Sequence, residues 1–211
     1  MHKLTDFIAS CLLQIKAVKL QPKNPFSWVN GWTSPVYFDS RKLLSYPRVR
    51  NIIKVEMARL MMEQFPEVEV VASIATNAIA MGALVADTLS LPLVYVHPEP
   101  KDHGFENRIE GDLRPRQKVV IIEDQISLGQ NCIKVADALR KNGCQILGLV
   151  TIFDYELPLT NKLFDKNELP VFTLSTFEAT IHRALETGYI TSEDEKILAN
   201  WQQQPDKWGK K

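Results

Sequence analysis

Near-continuous apolar runs recur along the middle of the chain: VEVVASI (Val68–Ile74), LPLVYV (Leu91–Val96), VVIIED (Val119–Asp124) and QILGLVTIF (Gln145–Phe153). Such runs suit strands buried on both faces of a parallel sheet. Between them lie segments of helical spacing, Ala78–Leu89 with small residues toward the sheet, and Cys132–Asn142. Gly143 follows the second, where a left-handed residue ends a helix. The alternation predicts right-handed βαβ crossovers and an α/β fold, a mainly parallel twisted sheet flanked by helices. Upstream, Leu4, Ile8, Leu12 and Ile15 predict an amphipathic helix over 3–18. Asn30-Gly31 between aromatic strand formers predicts a hairpin, and Pro35 confines its second arm to an edge. Pro47 opens a helix whose apolar face is Val49, Ile52, Ile53, Met57, Leu60 and Met61. Downstream, Ser175 with Glu178 and Ser192 with Glu195 offer capping boxes for two further helices.

Two polar interruptions carry the chemistry. In VVIIEDQISLGQ, Glu123 and Asp124 stand at the carboxyl end of a strand, the side of an open parallel sheet where ligands bind. Period-two alternation sends their side chains to opposite faces. The loop Ser127-Leu128-Gly129-Gln130-Asn131 then opens a helix, so its N–H groups can converge on an anion. A sugar phosphate reconciles acids with an anion cradle: carboxylates accept from ribose hydroxyls or hold Mg²⁺, and the loop takes the phosphate. The plain alternative is a βα turn carrying solvated acids. Neither GxxxxGK[ST] nor GxGxxG occurs. The second interruption, 97–118, is almost wholly polar and longer than an ordinary connector. It is either a solvated hairpin or a mobile cationic flap built on Lys101, His103 and Arg108 beside Gly104.

Composition narrows the function classes. The 211 residues hold 25 basic and 25 acidic side chains, a formal charge of zero. That argues against a nucleic-acid partner, which needs a basic surface. The cysteines (Cys11, Cys132, Cys144) are few and scattered, as in a reduced, cytoplasmic protein without a zinc site or disulfide frame. The first residues carry a single short apolar run, Ile8–Leu13, flanked by Asp6 and Lys16, which fits neither a leader nor a membrane span. Trp28 and Trp32 are expected to pin the hairpin, Trp201 and Trp208 to anchor the terminal helix and tail, and Cys132 to be buried.

IIEDQISLGQN resembles the phosphoribosyl-diphosphate (PRPP) signature of type I phosphoribosyltransferases. Three further segments, KDHG with ENRIEG, NGWTSPVYFDSRKLLSYP and FEATIHRALETGYI, resemble blocks of the orotate phosphoribosyltransferases, in the right order over nearly the whole chain. The resemblance implies one domain with a hood formed by about 1–40 and segments after 153, a core over about 47–153 and a flexible catalytic loop, 97–118. It implies transfer of ribose 5-phosphate from PRPP to orotate with Mg²⁺, in pyrimidine biosynthesis. Glu123 and Asp124 would meet the ribose hydroxyls, Asp124 being catalytic and a possible Mg²⁺ contact, with the metal held mainly through PRPP. Ser127, Leu128, Gly129, Gln130 and Asn131 would cradle the 5′-phosphate, Ser127 also touching the base, which Tyr37 and Phe38 line. Thr76 and Asn77 would face the diphosphate together with His97, and Lys101 and His103 would close over it from the neighbouring subunit of a homodimer.

Several positions depart from the family pattern. His97 stands for a usual Arg, Asn77 for Gly, and Leu128, Gln130 and Asn131 for other loop residues. Asp154 replaces Thr or Arg, and Thr33 replaces Lys. An inward Asp154 would repel orotate. Alternatives therefore stay open: a relative with altered base preference, such as a purine or uracil phosphoribosyltransferase, or a regulatory protein that binds PRPP or a nucleotide with little turnover.

Overall fold

The apolar runs become the middle of a six-stranded sheet. In the computed structural model, residues 2–28, 31–100 and 108–209 are described. The chain starts with α1 (His2–Gln14), β1 (Val18–Leu20), β2 (Phe26–Ser27), β3 (Thr33–Ser34), β4 (Val36–Phe38), a 3₁₀ helix (Ser40–Ser45) and α2 (Pro47–Gln64). It continues through β5 (Val70–Ile74), α3 (Ile79–Leu89), β6 (Leu93–Val96), β7 (Ile109–Glu110), β8 (Lys118–Ile126), α4 (Gln130–Lys141) and β9 (Gln145–Asp154). α5 (Pro158–Lys166), β10 (Val171–Thr176), α6 (Phe177–Glu186) and α7 (Ser192–Gln203) complete it.

The sheet order is β10-β9-β8-β5-β6-β7, parallel throughout except for β7 against β6. Strand order therefore reverses between β5 and β8, since β6 lies on one side of β5 and β8 on the other. Alternate residues of each central strand feed two cores. Val71, Val120, Ile122, Val150 and Ile152 join α1, α2, α3, α6 and α7 on one face. Ala72, Val119, Ile121 and Leu149 join α4 and α5 on the other. Double coverage explains why these strands read as continuous apolar runs rather than alternating ones. Gly82 lets α3 lie close on β5: a Cβ there would sit 1.7 Å from Ser73 Oγ.

The first helix ends at Gln14, short of the expected 18, because Lys16 turns left-handed (φ 55) to enter β1. The hairpin is present as β2 against β3 with Gly31 at φ 82, although Asn30 lies outside the described residues. Pro47 occupies the first turn of α2 as expected, and Gly143 takes φ 85. The first expected capping box starts one residue early and the second one residue late. Thr176 caps α6 by accepting from Ala179 N–H, and Thr191 forms a full box with Asp194. Ser175 instead belongs to β10, a strand the polar-rich VFTLST conceals. The polar stretch after β6 is partly a hairpin, since β7 pairs back onto β6. Trp201 is fully buried, and its indole N–H donates to Thr33 O.

Candidate active site

The reversal of strand order puts a crevice outside the carboxyl ends of β5 and β8, the position at which open α/β sheets bind ligands. A cavity of about 720 Å³ occupies it. Its walls come from the turn after β5 (Ala75, Thr76, Asn77), the end of β8 with its loop (Glu123, Asp124, Gln125, Ser127–Cys132), the run Tyr37–Arg41, and Ser27, Trp28 and Tyr155.

The two acids are both deeply placed, Glu123 8% and Asp124 4% exposed, so the solvated-turn alternative does not describe them. They do diverge as strand periodicity requires. Glu123 lies on the side of α4, where its charge helps to raise the Cys132 thiol, whose main cause is burial. Asp124 faces the amino-terminal segment and accepts a hydrogen bond from Ser40 Oγ at 2.5 Å. Both line the cavity because it wraps around the strand end. Glu123 Oε1 accepts the Asp124 N–H at 2.9 Å. Burial, then the neighbouring Asp124 charge, holds the Glu123 carboxyl well above the usual carboxylate range. The pair thus offers one group that readily keeps a proton beside one anchored by a hydroxyl donor, a set able to accept from and donate to a diol.

Beyond the acids, Gly129 takes φ 71 and serves as N-cap of α4 without any side-chain cap bond. A Cβ at Gly129 would stand 2.9 Å from Phe164 and 3.0 Å from Thr160, so glycine is required by space as well as by backbone. Thr160 also pins the loop by donating to Ser127 O at 2.6 Å. Gln130, Asn131 and Cys132 at the start of α4 line the cavity and the helix has no side-chain cap bond, whereas α6 and α7 are capped by threonines. That arrangement is suited to an anion.

The aromatic wall is fixed from behind. Tyr155, 2% exposed, accepts the Phe38 N–H through its hydroxyl at 3.2 Å and packs edge-on against Trp28 and Phe153. Phe38 stacks on Phe153 with centroids 5.3 Å apart. Asp39 accepts from the Arg41 backbone and from its Nε at 2.7 Å, and this guanidinium contact lowers the Asp39 carboxyl.

Among the residues singled out by sequence, Tyr37, Phe38, Thr76, Asn77, Glu123, Asp124 and Ser127–Asn131 meet on this one cavity. His97 does not line it. It closes the base of the β6–β7 excursion: its N–H donates to Arg108 O, its carbonyl accepts from Arg108 Nε, and its ring meets Tyr95 at 5.8 Å. Arg108, expected in a cationic flap, instead donates to the carbonyls of Pro98, His97 and Lys134. Lys101 and His103 lie outside the described residues. Asp154 is not among the residues lining the cavity and accepts the Glu156 N–H at 2.7 Å, so it lacks the inward placement expected to repel orotate. Ser40, Gln125, Arg41 and Tyr155 on the wall were not identified from sequence. Ser40 and Arg41 lie in the quoted YFDSR block, but nothing linear marks Tyr155.

Among the described residues no group of three or more His, Cys, Asp or Glu is placed to hold a metal. A cavity wall with one or two carboxylates nevertheless fits Mg²⁺, which keeps waters and leans on substrate phosphates rather than on a protein cage. No described helix is long and apolar enough to cross a membrane.

No family model matches the chain. Relatives do. An orotate phosphoribosyltransferase of Porphyromonas gingivalis is 49% identical over 209 residues, 99% of this chain and 100% of that one. One of Bacillus subtilis is 44% identical over 210 residues, 99% and 97% of the two chains. Among solved structures, orotate phosphoribosyltransferase of Aeropyrum pernix matches with a TM-score of 0.75 at 25% identity, covering 87% of this chain and 99% of that one. Leishmania donovani UMP synthase reaches a TM-score of 0.79 at 21% identity, over 94% of this chain and 42% of its own, which bears on the fold alone. With a sheet reversal, a strand-end acid pair and a glycine-turned loop in one crevice, and near-full-length relatives at this identity, the chain belongs to the orotate phosphoribosyltransferases and has the type I phosphoribosyltransferase fold.

Proposed function

We propose that the cavity transfers ribose 5-phosphate from PRPP to orotate, giving orotidine 5′-monophosphate and diphosphate. The observation that carries this reading is the convergence on one cavity of the Glu123–Asp124 pair, the uncapped amide turn Ser127–Asn131 and the Tyr37–Phe38 wall. In it the turn receives the 5′-phosphate, the acids receive the ribose hydroxyls, and Phe38 and Tyr37 flank the base. Ser127 reaches the base from the loop side. Thr76 and Asn77 face the diphosphate at the end of β5.

Cleavage of the C1–O bond spreads positive charge over the ribose ring and negative charge over the departing diphosphate. Asp124 lies near the first, held as an acceptor. The second needs cations, a role assigned by resemblance to Lys101 and His103, supplied by the neighbouring subunit of a homodimer, with His97 near the hinge of that loop. Mg²⁺ would sit with PRPP and Asp124, neutralising phosphate charge when bound. Aromatic packing around Trp28 and Tyr155 keeps the base end dry, which protects the activated sugar from water. Residues 1–40 with the segments after 153 act as the hood, the 47–153 core as its base, and the protein works in the cytoplasm.

Purified protein supplied with PRPP and Mg²⁺ should release diphosphate with orotate, and much more slowly with uracil or purines. Equal or better rates with another base would replace orotate as the substrate. Tight PRPP binding by calorimetry with no product from any base would move the protein to the regulatory reading.

A further inference from the structure

Ser40 is the point where the amino-terminal segment touches the chemistry. It follows β4 as first residue of the 3₁₀ helix, is 7% exposed, lines the cavity and donates its hydroxyl to Asp124 Oδ2 at 2.5 Å across 84 positions of sequence. We propose that Ser40 is a positioning residue that fixes the carboxylate plane of Asp124 for the ribose-transfer step, an inference that rests on the reading of Asp124 given above.

The χ2 torsion of aspartate is broad and nearly two-fold, so an unanchored carboxylate samples many planes. A hydroxyl-to-carboxylate bond of this length is in the strong, charge-assisted range and selects one of them. The donor is itself held. Upstream, Phe38 N–H is bound by Tyr155; downstream, Asp39 caps the 3₁₀ helix by accepting from Arg41. Asp39 is bound to Arg41, so it does not compete for the Ser40 hydroxyl. Glu123 leans on a backbone N–H instead, so the two acids are oriented by different means. A preset acceptor costs no reorganisation when charge develops on the ring, and misplacement of a reacting group by a fraction of an ångström is expensive.

The test is a double-mutant cycle on the full chain: Ser40→Ala, Asp124→Asn and the pair, with Ser40→Thr as the conservative control. Ser40→Ala should lower kcat about 10–100-fold, the range for groups that orient a ligating residue, with KM for orotate nearly unchanged. Ser40→Thr, which keeps the hydroxyl, should recover most of kcat. In the Asp124→Asn background Ser40→Ala should cost little more, because its route is already gone. Thermal melts and PRPP calorimetry on each variant separate loss of fold from loss of rate per folded site. If Ser40→Ala does not fold, Ser40→Cys, similar in size with a weaker donor, takes its place in the cycle. An active wild type with Ser40→Ala at full kcat, or losses that simply multiply in the double variant, would overturn the inference alone. An inactive wild type would overturn the reading of the site instead.

Discussion

Strands β8 and β9 lie side by side and end alike, yet the β8 end lines the cavity with both its acids and its loop, whereas the β9 end lends it Tyr155. Each carries an acid at its carboxyl end, each is followed by a left-handed residue, and each then enters a helix. After β8 the left-handed residue is Gly129, the loop amides are left without side-chain caps, and both acids line the cavity. After β9 it is Glu156 at φ 51. There Asp154 accepts the Glu156 N–H, and Glu156 accepts the Glu178 N–H at the start of α6. After β8 the helix start is left without a side-chain cap and Asp124 takes a hydroxyl donor; after β9 both carboxylates take backbone N–H groups. A strand-end acid therefore joins the cavity through the path of its turn, since Glu123 lines the cavity while it accepts the Asp124 N–H.

The largest contrast concerns turnover. Asp124→Asn should reduce kcat about 10²–10³-fold, the loss typical of removing one electrostatic partner of a transition state. Asp154→Asn, one strand away, should leave kcat within about twofold. Steady-state assays with orotate and PRPP decide it, and equal losses at both positions would erase the distinction between the two ends.

Stability should separate the turns next. Gly129→Ala meets both a left-handed backbone and the Phe164 and Thr160 side chains, so it should cost roughly 2–4 kcal/mol in urea unfolding. PRPP affinity should fall with it, because the amides of the turn move. A cost under about 0.5 kcal/mol would mean the turn accommodates a side chain and is less fixed than the packing implies.

What sequence could disclose divides along the same line. Buried parallel strands advertise themselves, because double burial leaves VVII and LGLVTIF a single polar position, Thr151; β8, β9 and the acids at their ends were legible for that reason. The loop after β8 was legible through Gly129 and its spacing from the acids. The fate of each acid was not. Whether Asp154 faces a ligand depends on a backbone bond two residues on, and Asp124 depends on Ser40, 84 positions away. Arg108 looked like a flap cation because charge is visible in sequence, while the three carbonyls that hold it are not. The caps of α6 and α7 fell one residue off since Ser and Thr stand adjacent at both starts, and only backbone geometry chooses between them.

The pH dependence offers a subtler separation. Burial raises the Asp154 carboxyl to about 6. Well below pH 4 both folded and unfolded chains hold its proton. Between about pH 4 and 6 the unfolded chain releases it first, so stability falls as pH rises through that window, by about 2–3 kcal/mol at most. Asp154→Asn keeps an acceptor for the Glu156 N–H and removes the titration. Its urea midpoint should match wild type near pH 4 and exceed it at pH 7. Parallel curves for the two proteins across that range would show that Asp154 titrates normally and is not desolvated by its turn.

Smallest is the one thread by which the end of β9 does enter the site. Among the cavity-lining residues described, Tyr155 comes from its turn, and its hydroxyl accepts the N–H of Phe38 on the aromatic wall. Tyr155→Phe keeps the ring contacts with Trp28, Phe153 and Trp201 but leaves that buried N–H without an acceptor. The expected cost is about 1 kcal/mol, at the low end for an unsatisfied buried donor because the native bond is already long at 3.2 Å. The wall should loosen rather than collapse, so KM for orotate should rise a few-fold while KM for PRPP, assigned above to the β8 turn, should stay put. Parallel initial-rate series in the two substrates read this directly. A change in PRPP binding without one for orotate would mean that the β9 turn supports the phosphate end after all, and that the two strand ends share a task instead of dividing it.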